Sequence, residues 1–173
     1  MTREVELRRH TEAEGDVLTP DGVRAALEIG KRLEGRYDVM ISSGAQRATQ
    51  TIACLLAGIG RSVAGGVVVE TGFRSSVEER WFAAARRAQG KDLDAFRKVD
   101  RELVEKESAL LGGVLRHVID SLPEGGRALV VGHSPTTEAA VYGLTGQVVP
   151  PVAKGSGVRV IEDGDALRVE LLG

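Results

Sequence analysis

Two arginine and two histidine side chains lie where predicted strands end or where the following helices begin. Arg9 and His10 directly follow the first strand, and His133 ends the most apolar strand of the chain. Arg47 lies in the first turns of the helix that follows the second strand. Open α/β sheets bind ligands at the carboxyl ends of their strands, and helix N-termini favour anions. Together, these four side chains would form a phosphate-binding pocket.

The strands that must position these residues are short and mostly apolar. Residues 5–8, 38–42, 67–70 and 128–132 predict strands, of which 38–42 and 128–132 are typical of buried parallel strands. Near the end of the chain, residues 158–161 and 167–171 flank a polar turn and predict a terminal hairpin.

Helix-start patterns follow three of these strands. Thr19-Pro20 predicts an N-cap with proline at the first helical position, and Ser134-Pro135 repeats that pattern. Ser43 with Gln46 resembles a capping box for a helix that runs to Leu56. Residues 76–121 form a charged, helical middle segment with an interruption near Gly90.

Because strands alternate with helices, the sequence predicts an α/β protein, a three-layer α/β/α sandwich with a mostly parallel central sheet. We expect one domain over residues 1–173, with a helical cap or insertion around residues 73–105.

Composition narrows the possible partners and location. The 173 residues are 42% hydrophobic and 3% aromatic, with a net charge of −2. So few aromatic residues argue against a stacking surface for nucleic acid, and no apolar run is long enough to cross a membrane. A single cysteine excludes an internal disulfide, so we expect a cytoplasmic protein.

Four sequence blocks in order resemble the histidine phosphatase superfamily, which is also called phosphoglycerate-mutase-like. They are Leu-Arg-Arg-His-Thr at 7–11, Leu-Thr-Pro-Asp-Gly at 18–22, Ser-Ser-Gly-Ala-Gln-Arg-Ala-Thr-Gln-Thr at 42–51 and Val-Gly-His-Ser at 131–134. The short gap between the first two blocks is similar to the compact bacterial branch that includes phosphohistidine phosphatases. The resemblance implies a phosphoglycerate-mutase-like fold.

The resemblance also implies roles for the four residues. His10 would attack phosphorus in line and carry a transient phosphohistidine. Arg9 and Arg47 would bind phosphoryl oxygens, and a protonated His133 would donate a further hydrogen bond. No cofactor is implied, and the three histidines, which include His117, lack metal-ligand spacing.

The acid that protonates the leaving oxygen is less clearly marked in the sequence. Ser75 stands at the usual acid position, which makes Glu78 the first choice and Glu79 the second. Another branch of the family places the acid after the second histidine, which keeps Glu138 open. Thr11 replaces the usual glycine after the nucleophile, and we expect it either to narrow the pocket or to bind phosphate through its hydroxyl.

These features predict a metal-independent phosphoric monoester hydrolase that acts through His10 on a small phosphorylated metabolite or on a phosphohistidine protein. A phosphate-binding member without turnover is the alternative, and a phosphomutase is a less favoured one. The expected partners exclude nucleic acid and membranes, and the sequence does not set an oligomeric state.

Overall fold

The computed structural model describes residues 1–173. Its strands are β1 (Thr2–Arg9), β2 (Ala13–Glu14), β3 (Val17–Leu18), β4 (Val39–Ser42), β5 (Val67–Val69), β6 (Arg127–Gly132), β7 (Gly157–Asp163) and β8 (Ala166–Leu172). Its α-helices are α1 (Pro20–Arg32), α2 (Gln46–Ile59), α3 (Glu78–Arg87), α4 (Leu93–Val99), α5 (Arg101–Ser121) and α6 (Thr136–Thr145). A single 3₁₀ turn covers Thr71–Phe73.

Six strands form one sheet in the order β5–β4–β6–β1–β7–β8, while β2 and β3 pair in a small separate hairpin. The pairs β1–β6, β4–β6 and β4–β5 are parallel, and the pairs β1–β7 and β7–β8 are antiparallel. The carboxyl ends of β1, β4 and β6 therefore share one edge of the sheet. The hairpin β2–β3 lies between the first predicted strand and the first predicted helix, where the sequence predicted no strand.

Side chains alternate across the sheet into two cores, because successive residues of a strand point to opposite faces. Met40 and Leu129 belong to a core on the side of α2, with α1 packed alongside. Ile41 and Val130 belong to a larger core that also includes residues of α3, α4, α5 and α6. The predicted three-layer α/β/α architecture is confirmed.

The charged middle segment folds as α3, α4 and α5, with the expected interruption near Gly90. Asp92 and Asp100 cap the N-termini of α4 and α5 through hydrogen bonds to backbone N–H groups. Trp81 of α3 and Phe96 of α4 are buried in the larger core, in an edge-to-face contact. No helix combines the length and the apolar character that a bilayer-crossing segment needs.

Two predicted helix starts are wrong in detail. Helix α2 has Ala45 at its N-cap with no side-chain cap, because the Ser43 hydroxyl bonds instead to His133. Helix α6 begins at Thr136, so Pro135 is the N-cap rather than the first helical residue. The Ser134 hydroxyl donates to the Glu138 carboxylate of α6 at 2.5 Å and does not accept from a backbone N–H of the helix.

Glycines let α5 and α6 approach very closely. A Cβ atom placed on Gly143 would lie 1.7 Å from the carbonyl oxygen of Ser108, and one on Gly112 would lie 2.6 Å from the carbonyl carbon of Gly143. Only a residue without a side chain fits at either position. This contact fixes α5 against the helix that follows His133.

Candidate active site

The structure brings four predicted residues into one cavity of about 180 Å³ at the carboxyl edge of the sheet. Arg9 ends β1, His10 and His133 directly follow β1 and β6, and Arg47 lies in the first turn of α2. The other lining residues come from the segment 75–82 and from the turn before α6: Ser75, Glu78, Trp81, Phe82, Ser134, Pro135 and Thr136. The arginine and histidine side chains therefore share the cavity with residues of α3.

The His10 ring has one fixed tautomer. Its Nδ1 lies 2.7 Å from the carbonyl oxygen of Thr11, which can only accept, so Nδ1 carries the proton and Nε2 has a free lone pair. The pKa of His10 is lowered to about 4, mainly by burial and also by the positive charges of Arg47, Arg9 and Lys154, while the hydrogen bond to the Thr11 carbonyl opposes this shift. His10 is therefore neutral at pH 7, with a nucleophilic nitrogen.

His133 is neutral as well, and both of its ring nitrogens are engaged. Arg47 Nη2 donates to Nδ1 at 3.2 Å, so Nε2 carries the proton and donates to the Ser43 hydroxyl at 2.7 Å. Burial is the main cause that lowers the pKa of His133 to about 3, followed by the charge of Arg47. The ring centroids of His10 and His133 are 5.4 Å apart.

Asp16, from the turn of the β2–β3 hairpin, holds Arg47 in place. Its Oδ1 accepts from the Arg47 backbone N–H at 3.2 Å and from Nη1 at 2.9 Å, while its Oδ2 accepts from the Gln46 N–H at 3.3 Å. These hydrogen bonds, first of all the one from the Arg47 backbone, lower the pKa of Asp16. The carboxylate occupies the N-terminus of α2 and leaves Nη2 of Arg47 directed toward His133.

Arg9 is tied to the loop before β7 and keeps an unused donor. Its Nη1 donates to the Val152 carbonyl at 3.1 Å, and its buried Nε has no partner. Burial lowers the pKa of Arg9, which nonetheless stays charged at pH 7 because an arginine side chain titrates far above it. Because the Arg9 guanidinium lines the cavity, it is suited to an anionic ligand.

Thr11 does not lie in the cavity, and the expectation that its hydroxyl binds phosphate is wrong for this structure. Its Oγ1 donates to the Gly22 carbonyl at 2.8 Å, and its backbone N–H donates to Thr51 Oγ1 at 3.2 Å. No residue other than glycine has a positive φ, so Thr11 adopts an ordinary backbone conformation. Its side chain therefore neither narrows nor lines the pocket.

The three carboxylates considered as acids lie in different places. Glu78 lines the cavity, where its Oε1 accepts from Arg74 Nε at 2.8 Å. Glu79 is exposed and lies outside the cavity lining. Glu138 is 1% exposed and also lies outside it, although its Oε1 accepts from the lining Ser134 at 2.5 Å. Burial raises the pKa of Glu138.

Sequence reasoning missed two contributors to the site. Asp16 carried no signal beyond its place in a polar turn, since the hairpin that aims it at α2 was not predicted. Glu107 on α5 is buried and accepts hydrogen bonds from Ser75 Oγ and from Trp81 Nε1, both of which line the cavity. Its neighbours Glu105 and Lys106 made that stretch of sequence typical of a solvated helix.

As a whole, the arrangement can bind a phosphoryl group and attack it. The cavity holds a neutral imidazole with an unprotonated ring nitrogen beside two guanidinium groups. Preorganised donors of this kind stabilise the charge of a transferring phosphoryl group, and the nitrogen provides an acceptor for it.

Residues 2–151 match the family model described as the histidine phosphatase superfamily, branch 1. No curated protein sequence matches the chain significantly.

Solved structures with the same fold cover nearly the whole chain. A phosphoglycerate mutase from Bacillus anthracis str. Sterne has a TM-score of 0.73 at 16% identity, covering 99% of this chain and 92% of its own. A phosphoserine phosphatase from Entamoeba histolytica, in complex with 3-phosphoglyceric acid, has a TM-score of 0.75 at 16% identity and coverages of 99% and 97%. The protein histidine phosphatase SixA, complexed with tungstate, has a TM-score of 0.61 at 15% identity and coverages of 98% and 96%. At these identities the likeness shows the phosphoglycerate-mutase-like fold.

Proposed function

The chain belongs to branch 1 of the histidine phosphatase superfamily, and we propose that it hydrolyses a phosphomonoester through a phosphohistidine on His10. The observation that carries this proposal is the tautomer of His10. The Thr11 carbonyl holds the proton on Nδ1, so the lone pair of Nε2 is available in a cavity lined by Arg9 and Arg47.

In the first step, Nε2 of His10 attacks phosphorus and the bond from phosphorus to the leaving oxygen breaks. The guanidinium groups of Arg9 and Arg47, which both line the cavity, donate to the equatorial phosphoryl oxygens, Arg47 through Nη2–H. Since phosphoryl transfer depends mainly on positioning and electrostatics, these groups supply most of the assistance. In the second step, water attacks the phosphohistidine, the bond from nitrogen to phosphorus breaks, and inorganic phosphate leaves.

His133 changes its role when the phosphoryl group binds. The nearby dianion favours the protonated imidazole and competes for the Arg47 donor that now bonds to Nδ1. A protonated His133 donates from Nδ1 to a phosphoryl oxygen while Nε2 stays anchored on Ser43. The hydrogen bond to Ser43 therefore orients the ring for this step.

Glu78 is the predicted acid that lines the cavity, and its role remains a proposal. It forms an ion pair with Arg74 at 2.8 Å, and an ionised carboxylate must take up a proton before it can donate one. Glu79 and Glu138, which do not line the cavity, have no direct access to a leaving oxygen.

We propose a small phosphorylated metabolite as substrate, with a phosphohistidine protein as the nearest variant. A cavity of about 180 Å³ is smaller than the ~300–1,000 Å³ of typical small-molecule sites, so it suits a phosphoryl group with a short attached part. The exposed ring of Phe82 at its wall would contact the remainder of the substrate. A reducing, cytoplasmic location suits a chain with one cysteine.

Turnover of a phosphomonoester panel, para-nitrophenyl phosphate included, tests this function. We expect wild-type turnover to be lost in His10→Ala and retained in His117→Ala, which removes an exposed histidine outside the cavity. Activity that survives His10→Ala would rule out the mechanism. A protein that binds phosphate but turns over no member of the panel would instead be the binding protein without catalysis.

A further inference from the structure

A buried carboxyl group lies directly behind the cavity wall. Glu107 is 5% exposed, and it accepts hydrogen bonds from the Ser75 hydroxyl and from Trp81 Nε1 at 3.4 Å. Neither of these partners is charged, and no lysine or arginine forms an ion pair with Glu107, unlike Glu78 with Arg74. Nothing in the mechanism above uses this group.

Ser75 connects Glu107 to the cavity. It is 8% exposed and lines the cavity, and its Oγ also accepts from the Val77 N–H at 3.1 Å. A hydroxyl has one proton and two lone pairs. In the structure Ser75 donates that proton to Glu107 and accepts from Val77. When the Glu107 carboxyl carries a proton instead, it can donate to the second lone pair of Ser75 Oγ, which leaves the Ser75 hydroxyl proton for a group in the cavity.

Ser75 lines the cavity from an element that carries neither histidine. In-line attack places the leaving oxygen opposite His10, and segment 75–82 is the part of the lining that comes from neither a strand end nor the helix start after it. Ser134, which connects to the buried Glu138, directly follows His133 at the end of β6 and so belongs to the side of the nucleophile.

We infer that Ser75 and Glu107 form a proton relay to the leaving oxygen, an inference that rests on the proposed function. As the bond from phosphorus to the leaving oxygen breaks, the Ser75 hydroxyl proton moves to that oxygen and the Glu107 carboxyl proton moves to Ser75 Oγ. During hydrolysis of the phosphohistidine, the attacking water gives a proton to Ser75 Oγ and the Ser75 proton returns to Glu107. The relay then has its initial protonation, and the net reaction consumes one water.

Trp81 gives the relay its fixed geometry. Its indole is 3% exposed, lines the cavity and donates to the same carboxylate oxygen that accepts from Ser75. Glu107 is thus a residue that acts through Ser75, with its carboxyl group held by two residues that line the cavity.

Leaving-group dependence in Glu107→Gln and Ser75→Ala tests the relay. An alkyl alkoxide needs a proton to depart, whereas 2,4-dinitrophenolate does not. Using the alkyl phosphate that the wild type turns over best, we expect each variant to lower kcat by about 100-fold with KM changed less than about twofold. With 2,4-dinitrophenyl phosphate, we expect kcat to fall less than about threefold. The double variant should be no slower than either single variant, because both interrupt one path.

Glu105→Gln is the matched control. Glu105 lies on the same helix and contacts Tyr142 and Arg97 outside the cavity, so both substrates should be turned over normally. If Glu107→Gln does not fold, as thermal unfolding would show, Ser75→Ala supplies the same comparison at a single hydroxyl.

Several results would overturn the relay. These are an equal loss on both substrates, an unchanged kcat on the alkyl ester, or a wild type that turns over the dinitrophenyl ester but no alkyl ester. A selective loss on alkyl esters in Glu78→Gln or Glu138→Gln, with Glu107→Gln normal, would assign the proton to that carboxylate. If the wild type cleaves neither type of ester, the proposed function fails and not merely its proton path.

Discussion

Lowering the pH to 5 should leave the His10 imidazole uncharged. Burial, with the charges of Arg47, Arg9 and Lys154, lowers the pKa of His10 from 6.5 to about 4. At pH 5 a histidine with that pKa is about 90% neutral, whereas one with a pKa of 6.5 is about 3% neutral. At pH 5 the neutral, nucleophilic fraction of His10 is thus about thirty times that of a histidine with an ordinary pKa.

The lowered pKa of His10 also reduces the free energy of unfolding at acidic pH, and proton linkage gives the sign of this effect. Because the pKa is lower in the folded state, the unfolded state binds the proton first as the pH falls. The contribution of His10 to the free energy of unfolding is fully present above pH 6.5 and is lost as the pH falls toward 4. Between pH 8 and pH 5 this amounts to about 2 kcal/mol of the free energy of unfolding.

Two measurements check this prediction. An NMR titration of the His10 Cε1–H signal, assigned by its loss in His10→Gln, gives the pKa directly. Urea unfolding at pH 8 and pH 5 compares wild type with His10→Gln, which lacks the titrating group and should lose about 2 kcal/mol less. A pKa near 6.5, or equal losses in the two proteins, would refute the reasoning about burial and charge at this site.

Three further variants test the parts around His10. Arg47→Lys keeps a charge but not the planar fork that contacts Asp16 and His133, so kcat/KM should fall by about 10–100-fold in steady-state assays. Asp16→Asn removes the carboxylate at the start of α2 and should cost about 0.5–1 kcal/mol in urea unfolding, and an unchanged midpoint would contradict that role. Gly143→Ala places a methyl group against the Ser108 carbonyl and should lower the free energy of unfolding by about 1–3 kcal/mol, measured as a lower Tm. Gly146→Ser serves as a comparison, because its side chain meets open space although the backbone there has a positive φ.

The sequence predicted the location of those site residues that lie at the ends of strands. Arg9 ends a strand and His10 and His133 directly follow strands, so predicting those strands also predicted where the side chains converge. The terminal hairpin and the helical middle segment followed from alternation and spacing in the same way. Arg47 needed only the position of one helix start, whose N-cap was predicted two residues too early, at Ser43 instead of Ala45.

The direction in which a side chain points, and a hydrogen-bond partner that is far away in sequence, could not be predicted from strand ends. Thr11 adjoins the nucleophile in sequence, but its hydroxyl is taken by the Gly22 carbonyl, a contact set by how α1 packs. Glu107 is 32 residues from Ser75, and only the packing of α5 against segment 71–81 brings the two together. Charge patterns along one helix do not reveal which carboxylate faces inward when the partner lies on another element.

The most direct test of the account is to trap the phosphorylated protein. Wild-type protein mixed with excess 2,4-dinitrophenyl phosphate and quenched in alkali, in which phosphohistidine is stable, is digested and analysed by mass spectrometry. Phosphate should appear on the peptide that contains His10, at the rate of the dinitrophenolate burst, and should be absent in His10→Ala. Turnover with no phosphorylated His10 at any quench time, or phosphate on a different residue, would contradict it.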